Sequence, residues 1–220
     1  MKLIIFDFDG TLADSRKLII EGHRQVFTQF GLPVPAPQAS LALIGRSLEL
    51  VLVELAGPDA PIAAMAAAYQ PVVKRLREDP AFADRPFAGA HELLAELATR
   101  SDCRLGIATG HISSAIEPAL ETFGWRPWFC TVQTADKAPS KPHPGMILRA
   151  LDEAGVAAAD AVMVGDTTFD MEMARAAGVA AIGVGWGYHA RDRLVAAGAA
   201  TVADTMADLR ARLIDDASGS

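Results

Sequence analysis

The sequence predicts an α/β fold: a parallel sheet covered by helices on both faces, with an all-helical domain inserted after the first strand. Three observations carry this. From residue 87 onward short apolar runs alternate with segments of helical periodicity, the pattern of right-handed crossovers joining parallel strands. Residues 15–85 show helical patterns and no strand pattern. Three apolar runs stop at a polar residue, Phe6 into Asp7, Ala108 into Thr109 and Gly165 into Asp166. In an open parallel sheet such strand ends share one edge, where ligands bind.

The elements follow in chain order. Leu3 to Phe6 is a short apolar run of the kind buried on both faces of a sheet. Asp7 and Asp9 are two apart and project to the same side of an extended chain, Phe6 and Phe8 to the other. Gly10 permits a sharp turn. Leu18, Ile19, Val26, Phe27 and Phe30 keep helical spacing up to a stop at Gly31, and Pro33, Pro35 and Pro37 form a stiff connector. Helices are predicted over Ser47–Ala56 and from Pro61 to about Glu78, with Lys74, Arg75 and Arg77 on a wet face. The predicted domains are therefore 1–14 with 86–220, and 15–85. In the second part helices are expected over His91–Arg100, Ile112–Phe123, Pro144–Ala154, Asp170–Ala177, Arg191–Ala197 and Met206–Leu213. Strands are expected over Arg104–Ala108, Phe129–Gln133, Ala161–Gly165, Val179–Val184 and Thr201–Val202. Pro118 threatens its helix, and Asp215–Ser220 reads as a frayed end.

Composition narrows the partners. The chain has 220 residues, 51% hydrophobic, with a net charge of -7, enough for a sizeable core domain and a smaller insert. No basic block stands out, which argues against nucleic acid. No apolar stretch is long enough to cross a bilayer and no signal-peptide pattern opens the chain, so no membrane and a cytoplasmic location are expected. Cys103 and Cys130 share no metal-ligand spacing and read as buried, reduced thiols.

The polar residues at the strand ends suggest chemistry. Asp7 and Asp9 repel unless a cation lies between them or one keeps a proton. Asp-Gly is also ordinary turn chemistry. A calcium loop is ruled out, because Ile5 and Arg16 would fall at oxygen-ligand positions. Asp166 and Asp170 add two carboxylates at a helix start; each alone reads as a cap, but four at one edge require a cation, and oxygen ligands favour Mg2+. Thr109-Gly110 before a helix offers a hydroxyl and backbone N–H groups for an anion, or is a plain turn. Lys141 sits in a proline-fixed segment, Ser140-Lys141-Pro142-His143-Pro144, suited to binding phosphate. Arg46, in Gly45-Arg46-Ser47, either grips a substrate anion or is solvated. His23, His91, His111, His143 and His189 have no metal spacing, and His111 reads as a packing or solvent residue.

Taken together, Asp7-Phe8-Asp9-Gly10-Thr11-Leu12-x-Asp14-Ser15, Thr109-Gly110, Lys141-Pro142 and Gly165-Asp166-Thr167-x-x-Asp170 resemble the four ordered motifs of the haloacid dehalogenase-like (HAD) hydrolase superfamily. The helical insert and the stretch Gly183 to Tyr188 resemble its phosphoglycolate phosphatase-like branch with a C1 cap. The resemblance implies a Rossmann-like parallel-sheet core, the HAD fold, under an all-helical cap. It also implies a Mg2+-dependent phosphatase acting on a small phosphomonoester, as a monomer or homodimer. Asp7 would be the nucleophile and Asp9 the acid and base. Thr109, Gly110, Gly10 and Lys141 would hold the phosphoryl group. Mg2+ would rest on the Asp7 side chain, the Asp9 backbone carbonyl and Asp166, with Asp170 behind. Lys141 and the metal would keep Asp7 ionised. An acid at the position of Asp9 separates phosphate ester chemistry from dehalogenation and phosphonate hydrolysis. A sugar phosphomutase and a non-catalytic phosphate-binding regulator remain as alternatives.

Overall fold

The computed structural model describes residues 1–214; the expected frayed end, Asp215–Ser220, lies outside them. The first strand, β1 (Lys2–Phe6), runs into β2 (Ala13–Asp14) and then four helices, α1 (Arg16–Gln29), α2 (Pro37–Leu41), α3 (Leu48–Ala56) and α4 (Ile62–Arg77). β3 (Arg85–Pro86) returns the chain to the sheet. After it come α5 (Ala90–Ala98), β4 (Cys103–Ala108), α6 (Ser113–Thr122), β5 (Phe129–Gln133), α7 (Gly145–Ala154) and β6 (Ala161–Gly165). The chain continues through α8 (Thr168–Ala176), β7 (Ala180–Val184), α9 (Arg191–Ala197), β8 (Thr201–Ala203) and α10 (Met206–Ile214).

Among the described residues one six-stranded sheet forms, in the order β5-β4-β1-β6-β7-β8, and every neighbouring pair is parallel. β1 is central because it is apolar on both faces. Ile4 and Phe6 pack on one side with Leu93 and Leu94 of α5, Ile116 of α6 and Leu209 of α10. Leu3 and Ile5 pack on the other with Ile147 of α7, Met171 of α8 and Leu194 of α9. This two-residue alternation is strand geometry, and each such burial contributes about 1.5–3 kcal/mol. Register aligns the strand ends: Phe6 pairs with Ile107 on one side and Val164 on the other. The chains therefore leave the sheet together, and Asp7, Thr109 and Asp166 reach the same rim.

The helical segment has an apolar cluster of its own, including Leu18, Phe27, Leu52, Met65 and Leu76. Its entry and exit are clipped to each other, since β2 and β3 pair antiparallel, Ala13 with Pro86 and Asp14 with Arg85. The short α2, which the sequence pattern did not suggest, starts at Pro37, the last proline of the connector. α6 continues past Pro118 to Thr122, losing only the bond that proline cannot donate.

Two expectations need correction. Cys130 is exposed and Cys103 only half-buried, both free thiols: Cys130 is the one exposed position of β5, and Cys103 opens β4 at its outer end. Arg77 is not on a wet face: its Nε meets Asp84 at 2.8 Å and its Nη1 donates to the Ala115 carbonyl of α6 at 3.0 Å. It thus ties α4 to the sheet layer.

Candidate active site

The rim carries a buried charge cluster. Asp7 follows β1 and its N–H donates to the Val164 carbonyl at 2.9 Å, which fixes it against β6. Lys141, fully buried, places Nζ 2.7 Å from Asp7 Oδ1 and 2.6 Å from Asp170 Oδ1. Asp170 is held from behind: Thr167 N–H and Oγ1 donate to its Oδ2 at 3.0 and 2.7 Å. Thr167 and Asp170 form a reciprocal capping box, which is why α8 begins at Thr168, two residues before the expected start. Asp166 receives Thr11 Oγ1 on Oδ1 at 3.1 Å and the Tyr188 N–H on Oδ2 at 2.8 Å. Gly10 lies against it with φ +82°, and a Cβ there would sit 2.2 Å from Asp166 Oδ2. Only glycine accepts both the backbone angle and that approach.

One buried cation faces three buried carboxylates. Burial pushes Asp7 up to about 7; Lys141 opposes the rise and Asp170 reinforces it. Asp166 is raised well above the usual carboxylate range by burial and then by Asp7 and Asp170. Burial alone would lower Lys141, but Asp170 and Asp7 outweigh it and raise it. Lys141 thus offsets part of the rise that burial imposes on Asp7, and a cation beside it would offset more. Asp7 Oδ2 is buried without a hydrogen bond. One oxygen from each of Asp7, Asp166 and Asp170 lies within 4.8 Å of the others. An all-oxygen donor set with an uncommitted carboxylate oxygen fits a hard divalent cation.

The remaining expected residues surround this cluster. Asp9 Oδ2 lies 2.8 Å from His111 Nε2. Burial raises Asp9, but the His111 charge and contact outweigh it and hold the carboxyl below its usual range; His111 is raised in turn. This corrects the packing role expected of His111. Its place directly after Thr109-Gly110 was the available signal, but the Asp9 contact depends on the sheet register. Thr109 is fully buried and its Oγ1 accepts the His111 N–H at 3.3 Å. Gly110 sits beneath the helical segment, where a Cβ would lie 2.3 Å from the Arg46 carbonyl oxygen. The Arg46 guanidinium lies over the Phe169 ring at 5.5 Å.

The loop between α2 and α3 closes over the rim. Ser47 N–H donates to Ser140 Oγ at 2.7 Å. His189 accepts the Thr168 N–H on Nδ1 at 3.0 Å, so its Nε2 carries the proton and donates to the Ala42 carbonyl at 3.1 Å. Sequence reading missed Ser140 and His189 as contacts because both act across the two layers. Under the loop is a cavity of about 70 Å³. Asp9, Gly110 and His111 bound it on the sheet side, His23, Arg46 and Tyr69 on the helical side.

A parallel sheet whose C-terminal rim gathers three carboxylates and a buried lysine beneath a helical layer is an oxygen-lined site of the kind that holds a divalent cation beside a phosphate group. The chain belongs to the haloacid dehalogenase-like hydrolase family, whose model matches residues 4–184. It is 36% identical over 213 residues to a Dickeya dadantii protein described as "Probable phosphatase IndB", covering 94% of this chain and 91% of that one. It is 34% identical to a phosphoglycolate phosphatase of Synechococcus elongatus, covering 95% of each. A solved hydrolase from Pseudomonas syringae shares the fold with a TM-score of 0.86 at 24% identity, over 98% of this chain and 99% of that one. Among the described residues no helix is long and apolar enough to cross a membrane.

Proposed function

We propose that the protein is a Mg2+-dependent phosphatase that hydrolyses a small phosphomonoester through an aspartyl-phosphate on Asp7, with phosphoglycolate the first substrate to try. The observation that carries this is the uncommitted, buried Oδ2 of Asp7, beside Lys141 and within ligand range of Asp166 and Asp170. Asp7, Asp166 and the Asp9 backbone carbonyl would hold Mg2+, with Asp170 supporting through Lys141 and Thr167. When bound, the ion supplies positive charge that keeps Asp7 ionised and offsets charge on the transferring oxygens.

Asp7 attacks phosphorus in line, and the bond to the leaving oxygen breaks. Lys141, Thr109 and the backbone around Gly10 and Gly110 hold the phosphoryl oxygens. His111 Nε2 carries a proton at its contact with Asp9 Oδ2 and passes it to Asp9 as the leaving group departs. Asp9 delivers it to the leaving oxygen and later takes one from the water that hydrolyses the intermediate. Residues 15–85 act as a cap that excludes bulk water. We place the reaction in the cytoplasm, on a monomer or homodimer.

The test is hydrolysis of p-nitrophenyl phosphate and phosphoglycolate with and without Mg2+. Turnover should require the ion and vanish in Asp7→Asn. Persistent turnover in that variant would remove the nucleophile assignment, and isomer accumulating in place of free phosphate would favour a mutase.

A further inference from the structure

The stretch after β7, Gly185 to His189, runs back over the rim and is tied to it along its length. Trp186 Nε1 donates to the Thr11 carbonyl at 3.1 Å. The Tyr188 N–H donates to Asp166 Oδ2 at 2.8 Å, and the His189 N–H to the Asp166 carbonyl at 3.3 Å. Between them the backbone presses on Asp166, since a Cβ on Gly187 would lie 2.1 Å from Asp166 Cβ. The His189 side chain, 3% exposed, leaves this strap and crosses to the helical segment. There it joins two groups that helix ends leave unpaired. Nδ1 accepts the N–H of Thr168, the first residue of α8, and Nε2 donates to the carbonyl of Ala42, at the C-terminal cap of α2. Phe169 meets the ring edge-on at 5.6 Å and lies under the Arg46 guanidinium. The loop that follows Ala42 lies on the site itself: a Cβ on Gly45 would be 3.2 Å from Thr167 Oγ1 and 3.9 Å from Asp7 Oδ2. Its far end is held at Ser140, next to Lys141.

We propose that His189 is a positioning residue for the reaction: through Nε2 it pins the α2–α3 loop shut over Asp7. This rests on the phosphatase reading and adds to it the side chain that sets loop closure. The two ring nitrogens divide the work. Nδ1, with the backbone of the strap, fixes the imidazole to the core beside Asp166 and the start of α8. Nε2 is the contact that reaches the helical segment. The fixed end of the pin is therefore the strand end that carries the acidic cluster, and its free end is the loop. Loss of the Nε2 bond alone should release the loop and leave the rim as it is, because no oxygen of Asp7, Asp166 or Asp170 depends on that bond. The released loop would admit water to the site and lose its hold on the closed arrangement in which the phosphoryl group is transferred.

Two substitutions separate the nitrogens. His189→Asn keeps an acceptor near the Nδ1 position and has nothing at Nε2, whereas His189→Gln carries an N–H to the Nε2 position. Amide hydrogen exchange reads the loop. In His189→Asn the Ser47 N–H should exchange about tenfold faster than in wild type, the factor for one net hydrogen bond, while the amides of β1 and β4 keep their rates. kcat/KM for p-nitrophenyl phosphate should fall by about the same factor with the Mg2+ midpoint unchanged, and His189→Gln should recover most of both losses. An unchanged Ser47 rate in His189→Asn would overturn the proposal. So would equal losses in the two variants, which would assign His189 to packing, or faster exchange throughout β1 and β4, which would report general loss of stability. A shifted Mg2+ midpoint would also overturn it, by placing the effect on Asp166. One arm needs no variant: in wild type the His189 Nε2–H should appear as an imidazole proton protected from exchange with water, and rapid exchange there would reject the pin. Failure of the wild type to hydrolyse any ester would reject the phosphatase reading instead, and the exchange rates would still decide the role of His189.

Discussion

Lys141 has no exposure to solvent and touches two carboxylates, so the rim depends on it for both stability and chemistry. Removing one partner from a buried ionic group leaves uncompensated charge at a cost of about 3–5 kcal/mol. Lys141→Met should therefore lose about that much stability in urea unfolding, as well as turnover. Loss of turnover with unchanged stability would show that the carboxylates are compensated elsewhere. His23 gives a pH signature. Its folded value is depressed to about 4 from the ordinary 6.5, so the unfolded chain binds the extra proton between those values. That stability is fully present above about pH 6.5 and is lost as pH falls toward 4. Unfolding titrations should show wild type losing up to about 3 kcal/mol more than His23→Leu over this window. Equal losses would show that the imidazole is not held neutral. His23 was legible in the sequence only as a lone histidine, because its burial depends on Tyr69 from another helix.

At the level of elements, the short motifs and the strand ends were readable because buried strands need apolar runs and helix starts need caps. The shifts from expectation have local causes. The Thr167–Asp170 capping box, a signal within four consecutive residues, moves the start of α8. Cys130 is the one exposed position of β5, which depends on what packs over the sheet and so is not visible in a window of neighbouring residues. The loop between α2 and α3 shows the same limit. Its Gly45-Arg46-Ser47 sequence marks a turn, but only the folded chain lays the Arg46 carbonyl on Gly110. Gly110→Ala would put a Cβ 2.3 Å from that oxygen and hold the loop off the rim. Such a displacement should lower kcat/KM by about 10²-fold with little change in Tm. Full activity would show that the closed loop is not the working state.

For the whole molecule, the sheet order makes a single site from pieces distant in the chain. β1 lies between β4 and β6, so Asp7 meets Asp166 across the sheet and Lys141 reaches both Asp7 and Asp170. An ion bound there reports the assembled fold, since the unfolded chain scatters its ligands. Mg2+ at 100 times its dissociation constant should stabilise the chain by about 2.7 kcal/mol, read as a rise in Tm, and Asp166→Asn should abolish that rise. A rise that survives the substitution would place the ion elsewhere. By itself the sequence determined the α/β class, the helical insert and the acidic, hydroxyl and lysine residues at the strand ends. Periodicity and motif spacing are properties of neighbouring residues. The tertiary structure alone decided that Asp9 faces His111, that Lys141 lies between Asp7 and Asp170, and that His23 is buried against Tyr69. Each depends on burial and on contacts between elements, and these exist only once strand register and helix packing have brought the pieces together.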